Sequence, residues 1–409
     1  MSDNRGCPRH WRTSLLRPAP FSLLLTALTL AHLAGCLLLA AVFFAPPRSP
    51  ALVHFFKGIL REYSLVLLVP ALLTALLAAR GWRAGEWSWL RWGAGAAALL
   101  VFFAAVWPAL SAWRMARAHD IPLGPRDYFR PLVGHRPLPS QTVRFATLEG
   151  VDLHADLFLP GAPASGPRPA VLYLHGGGWS GGERGHARAW ADFFTSRGYP
   201  FISLDYRLFP PATGLKAPGD VLCGIGWVKA HAATYGIDPD QLVLFGESAG
   251  GHLATLAGYA AGDPRLPPSC EAGDTSVKAV ISFYGPSDLI FEAEHIGPGT
   301  RRQLEGFTGV PLEGHQELYA LLSPLTHVGP KAPPTLLLHG GADSVVPLHA
   351  SRALAARLEQ AGVPHQFFTL PYAEHAFDVW DGGFGRQLAR ALVDRFLQRH
   401  VPAGGPRRP

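Results

Sequence analysis

The sequence predicts an α/β domain built on a mainly parallel sheet with a small cap, preceded by an N-terminal transmembrane helical region. Three observations carry this expectation. From about residue 141, short apolar strand-like runs alternate with helix-length segments, the pattern of a parallel sheet covered on both faces. Before that, three charge-poor apolar stretches are separated by short arginine-bearing segments. Charge divides the chain at the same place. Residues 1–136 carry 15 Lys/Arg against 5 Asp/Glu, net +10, while the remainder carries 21 against 25, net −4.

Taken in order, the first expected span is 21–45, whose one ionisable interruption is His32. The second, 63–79, is shorter, contains Pro70 and lies between Glu62 and Arg80. The third, 93–113, is free of charge and is flanked by tryptophans suited to a membrane interface. A membrane region of 1–118 follows from these three. Its arginines flank apolar runs and do not interleave with aromatics along a face, which argues against nucleic-acid binding. With the N-terminus inside, seven Lys/Arg fall on one side and eight on the other, so charge bias does not orient the chain. Leu33-Ala34-Gly35-Cys36 has the form of a bacterial lipoprotein cleavage site, although the apolar run continues beyond it.

Residues 119–140, rich in Pro and Arg, are expected to be a linker. A catalytic domain of 141–402 then opens with an antiparallel hairpin turning at Glu149-Gly150. Buried strands follow at Ala170–Leu174, Phe201–Leu204, Gln241–Phe245, Ala279–Phe283, Thr335–His339 and Gln366–Leu370. Helices are expected at Arg184–Ser196, Asp220–Tyr235, Gly251–Ala261, Leu348–Gln360 and Phe384–His400. The interval Tyr284–Lys331 is longer than a crossover needs and is read either as a cap over the site or as a surface insertion. Residues 403–409 are expected to form a disordered tail.

The chemistry centres on Gly246-Glu247-Ser248-Ala249-Gly250, between a strand-like run and a helical one. A serine at such a junction sits on a tight turn with its Oγ presented above the sheet edge, and flanking glycines remove side chains that would collide there. A serine hydroxyl is a weak nucleophile and needs a base, an acid to orient the base, and donors for the oxyanion formed on attack. His375 and Asp343 each follow a strand end, and the chain order Ser248, Asp343, His375 fits that requirement. His175-Gly176-Gly177-Gly178-Trp179 follows another strand, and its glycines allow backbone N–H groups to approach a substrate. The expected oxyanion donors are Gly177, Gly178 and Ala249. Glu247 is read as a brace for the turn and His252 as a packing or capping residue.

With HGGGW, GESAGGH, DSVVP and AEHAFD in place, residues from about 140 to 402 resemble the HGGG-type esterase/lipase branch of the α/β-hydrolases. DYRLFP and SFYGP extend the resemblance to feruloyl-esterase-like and isoprenylcysteine-methylesterase-like members. Glu247 stands where hormone-sensitive-lipase-like relatives usually carry Asp, and the DPLxDE pattern is absent. The resemblance implies a serine carboxylic-ester hydrolase working through an acyl-enzyme, with Asp205 and Arg207 structural. Acyl transfer or peptide cleavage by the same triad, and a non-catalytic interaction domain, are the alternatives. Cys7, Cys36, Cys223 and Cys270 form no framework by spacing, though Cys223 and Cys270 can pair in an exported domain. No metal or cofactor motif is found, and none is expected. The expected partners are a small-molecule or lipid ester and membrane lipids, at a bacterial cell (inner) membrane; the sequence does not specify an oligomeric state.

Overall fold

The computed structural model describes residues 20–46, 51–84, 88–129, 139–161 and 166–403. Four helices precede the sheet: α1 (Pro20–Phe43), α2 (Ala51–Glu62), α3 (Leu68–Ala84) and α4 (Ser88–Ala118). The chain divides into two compact units, residues 1–41 with 67–103, and residues 42–66 with 104–409.

The first unit holds α3, most of α1 and the first part of α4. His32 there meets a partner: its Nε2 lies 2.8 Å from Thr74 Oγ1, and Cys36 Sγ lies 3.2 Å from the same hydroxyl. A polar cluster between apolar helices satisfies the one ionisable group in the first expected span. Among the described residues one helix, Trp92–Ala118, is long and apolar enough to cross a membrane. It contains the expected span 93–113. Within α1 the segment Ala27–Phe43 is apolar and falls inside the expected span 21–45. The expected span 63–79 falls on the 3₁₀ turn Ser64–Leu67, which runs directly into α3.

The second unit departs from the expected boundary at residue 118. Helix α2 and the end of α4 belong to the same unit as the sheet. Residues 119–140 are not a free linker where described: Ile121 and Tyr128 are buried, Gly124 N–H donates to Gln387 Oε1, and a short helix α5 (Pro125–Tyr128) forms. Neither contact has a local periodicity that could announce it. Of the expected tail, residues 404–409 lie outside the described residues.

Eight strands form one sheet in the order β1-β2-β4-β3-β5-β6-β7-β8: β1 (Gln141–Leu148), β2 (Val151–Phe158), β3 (Arg168–Leu174), β4 (Phe201–Leu204), β5 (Ile237–Glu247), β6 (Ala279–Phe283), β7 (Thr335–Gly340) and β8 (His365–Leu370). The hairpin turns at Glu149 and Gly150, both at positive φ, as a two-residue loop requires. From β3 and β4 through to β8 every pairing is parallel. Alternation builds the two cores. Leu172, Leu174, Leu242, Leu244 and Val280 face one way, against α7 (Ala217–Ala230) and α9 (Ala249–Tyr259), with the short α8 (Ala232–Tyr235) between them in sequence. Val171, Tyr173, Val243, Phe245 and Ile281 face the other, against α6 (Arg188–Thr195) and α14 (Phe384–His400). The helix expected at 184–196 begins as a 3₁₀ turn, Arg184–Ala187. Three helices fill the interval after β6: α10 (Leu289–His295), α11 (Pro298–Thr308) and α12 (Gln316–Leu321). Helix α13 (His349–Gln360) crosses from β7 to β8.

Candidate active site

Ser248 stands between β5 and α9 with φ 53° and ψ −120°, a strained conformation for a residue with a side chain. The glycine after the turn is sterically compelled. A Cβ on Gly250 would lie 2.0 Å from the Leu174 carbonyl oxygen, so the elbow packs directly on the end of β3. Beyond that strand end, Gly177 has φ +128°, and a Cβ there would meet the Gly181 carbonyl at 2.2 Å.

The structure brings the three predicted side chains together. His375 Nε2 is 2.9 Å from Ser248 Oγ, and His375 Nδ1 is 2.8 Å from Asp343 Oδ2. Asp343 is held from behind, its Oδ1 accepting from Val345 N–H at 2.8 Å and Val346 N–H at 2.9 Å. His339, a buried residue on β7, approaches Asp343 Oδ2 at 3.3 Å. Burial by itself would push the Asp343 carboxyl up. His375 and His339 outweigh it and hold the group well below the usual carboxylate range.

Gly177, Gly178 and Ala249 line the same cavity as Ser248 and His375, a space of about 490 Å³. Ile296, Leu304, Val345, Val346 and Val379 give it an apolar surface, and Glu292, Thr300 and Gln303 add polar groups. The interval after β6 therefore does wall the site, as one of its two readings expected. It also reaches the glycine loop: Trp179 stacks on Phe307 of α11 with centroids 4.7 Å apart, and Gly178 lies against the Gln303 amide. Trp179 Nε1 donates to His252 Nδ1 at 3.2 Å, and His252 Nε2 donates to the Leu322 carbonyl at 2.8 Å. Burial lowers the His252 pKa to about 4, so the ring is neutral and serves packing.

Glu247 accepts from Tyr173 Oη at 2.8 Å. Burial, and then the charge of Asp378, push its carboxyl well above the ordinary value. Asp378 in turn accepts from Tyr284 Oη at 2.5 Å and Trp190 Nε1 at 2.9 Å, and the Tyr284 ring lies 4.5 Å from His375. Asp205 and Arg207 serve structure. Asp205 accepts from His154 N–H, and Arg207 forks onto the buried Asp220 at 2.6 to 3.1 Å. Cys223 and Cys270 form a disulfide. Among the described residues no cluster of three His, Cys, Asp or Glu could hold a metal ion.

Residue-by-residue reading missed Asp378, His339 and Glu292. The first two carried weak signals, Asp378 three residues after His375 and His339 four before Asp343. Glu292 carried none.

The BD-FAE (feruloyl esterase-like) family model matches residues 155–358. A protein of Mycobacterium tuberculosis named "probable carboxylic ester hydrolase LipM" is 34% identical over 248 residues, covering 60% of this chain and 57% of that relative. Esterase LipU of the same organism is 32% identical over 232 residues, covering 53% of this chain and 73% of its own. The chain thus spans under three-fifths of LipM and nearly three-quarters of LipU. Among solved structures, the apo form of Thermogutta terrifontis esterase 2 superposes with a TM-score of 0.57 at 26% identity, over 67% of this chain and 98% of that one. Fold, glycine loop and relatives agree, and the chain belongs to the BD-FAE-like esterase branch of the α/β-hydrolase family.

Proposed function

We propose that the protein is a membrane-anchored serine carboxylic-ester hydrolase acting through an acyl-enzyme. The observation that carries this is the hydrogen-bonded chain Ser248–His375–Asp343 at the floor of an apolar cavity beside a glycine loop. His375 takes the Ser248 proton as Oγ attacks the ester carbonyl, then delivers it to the departing alkoxide; water repeats the sequence to release the acid. Asp343, ionised and acceptor-only, fixes the Nδ1–H tautomer and stabilises the imidazolium. Backbone N–H groups of Gly177, Gly178 and Ala249 receive the oxyanion, at the N-terminus of α9, where the helix dipole favours negative charge. The cavity volume suits a compact ester of short to medium acyl length.

Anchoring is supported by the apolar helix Trp92–Ala118 and by α2, which leaves Leu52, Phe55 and Phe56 about half exposed or more. The Cys223–Cys270 disulfide supports a catalytic domain on the oxidising side of a bacterial inner membrane.

The test is hydrolysis of p-nitrophenyl esters of graded acyl length by detergent-solubilised wild type beside Ser248→Ala. Wild-type turnover that falls by about 10⁶ in the variant is expected. A folded wild type without turnover at any length, and unreactive to a fluorophosphonate, sinks the proposal.

A further inference from the structure

Helix α2 lies far from Ser248 in sequence, yet Lys57 and Glu62 on it are buried and His54 and Arg61 partly so. His54, Lys57 and Arg61 recur at intervals of three and four and so share one side of the helix. That side meets the loops after β7 and β8. Lys57 Nζ is 2.6 Å from Glu374 Oε1, with both side chains at most 4% exposed. Arg61 Nη1 reaches the same oxygen at 3.3 Å and donates to the Tyr372 carbonyl at 3.2 Å. The other Glu374 oxygen accepts from Ser344 N–H at 3.2 Å and Ser344 Oγ at 2.8 Å, and that hydroxyl lies 2.9 Å from His54 Nδ1.

Glu374 precedes His375, and Ser344 follows Asp343. One carboxylate therefore ties the loop carrying the acid to the loop carrying the base. A buried carboxylate is tenable only with its charge compensated, and both cations come from α2. We infer that α2 is a positioning element of the active site: Lys57 and Arg61, through Glu374 and Ser344, fix the separation of Asp343 and His375. This inference rests on the esterase reading above and adds that the hydrolase domain is not autonomous. Its acid–base pair is completed by a helix N-terminal to the sheet.

The full-length, detergent-solubilised protein tests this with Lys57→Met, Lys57→Arg, the double variant Lys57→Met/Glu374→Gln, and Ser344→Ala. Two readouts run in parallel: kcat and KM on a short p-nitrophenyl ester, and the rate of fluorophosphonate labelling of Ser248. Displacing the pair by a fraction of an ångström should lower kcat and labelling by roughly 10- to 100-fold in Lys57→Met, with KM little changed. Lys57→Arg should retain most of the activity. The double variant should recover part of the loss, because no uncompensated carboxylate remains. Ser344→Ala, a milder change, covers the case in which Lys57→Met does not fold, and should lower kcat by a few-fold at constant KM. Wild-type kcat and labelling in both Lys57→Met and Ser344→Ala, or strictly additive losses in the double variant, overturn the inference. Wild type that labels but turns over no ester refutes the esterase reading while labelling rates still judge the clamp. A folded wild type that neither labels nor turns over refutes both.

Discussion

Glu292 offers a test of the cavity's interior that does not depend on turnover. It lies on α10 in the wall of the candidate site, 3% exposed, with Oε1 accepting from Ser287 N–H at 3.1 Å. Burial dominates its titration, partly opposed by the Ser287 N–H and reinforced by the charges of Asp288 and Asp343, and raises its pKa from 4.5 to about 8. Between those values the folded protein keeps a proton that the unfolded chain has released, so stability falls as pH rises. The slope is about 1.4 kcal/mol per pH unit, or on the order of 5 kcal/mol across the whole window. Glu292→Gln keeps the shape and the acceptor and removes the titration. Melting of wild type and variant, in the same detergent from about pH 5 to about pH 8, should therefore give curves that meet at the acid end. They should diverge toward the alkaline end, the variant melting higher by on the order of 10 °C. Curves that stay parallel would mean that Glu292 is ionised in the fold, and the account of its burial would be wrong.

Two further perturbations probe the scaffold. Gly250→Ala drives a Cβ to within 2.0 Å of the Leu174 carbonyl and 2.6 Å of the His175 carbonyl, so the variant should lose fluorophosphonate labelling even where folded protein is recovered; wild-type labelling would contradict the packing of the elbow on β3. The Cys223–Cys270 disulfide closes a loop with a sequence separation of 47, worth about 4 kcal/mol by chain entropy. Cys223→Ala/Cys270→Ala should melt measurably lower than wild type under non-reducing conditions, and an unchanged melting temperature would argue against the bridge.

The parallel sheet was legible because its strands are short apolar runs separated by helix-length segments. Strands β4 and β6 and helix α14 span the predicted residues. The positions of Ser248, Asp343 and His375 were legible for the same reason, since each follows a strand end. Helix α2 was not. A sequence reader turns an amphipathic helix apolar side inward, whereas α2 buries His54, Lys57 and Arg61 at least in part and exposes Leu52, Phe55 and Phe56. The partners of that face, Glu374, Ser344 and the Tyr372 carbonyl, lie about three hundred residues away in the chain, where no local pattern announces them. Ile121 and Tyr128 escaped for a related reason: they fill gaps in a core assembled by other elements, so their burial leaves no periodic trace. The depth of Glu292 is likewise a product of long-range packing and has no local signature.

The stacking of Trp179 on Phe307 and the contact of Gly178 with Gln303 join the cap to the glycine loop. A cap so fastened is not a flap hinged over a finished catalytic floor. Swinging α11 away would part Trp179 from Phe307 and Gly178 from Gln303, so on the proposed mechanism the loop that supplies oxyanion donors loses part of its packing whenever the cap opens.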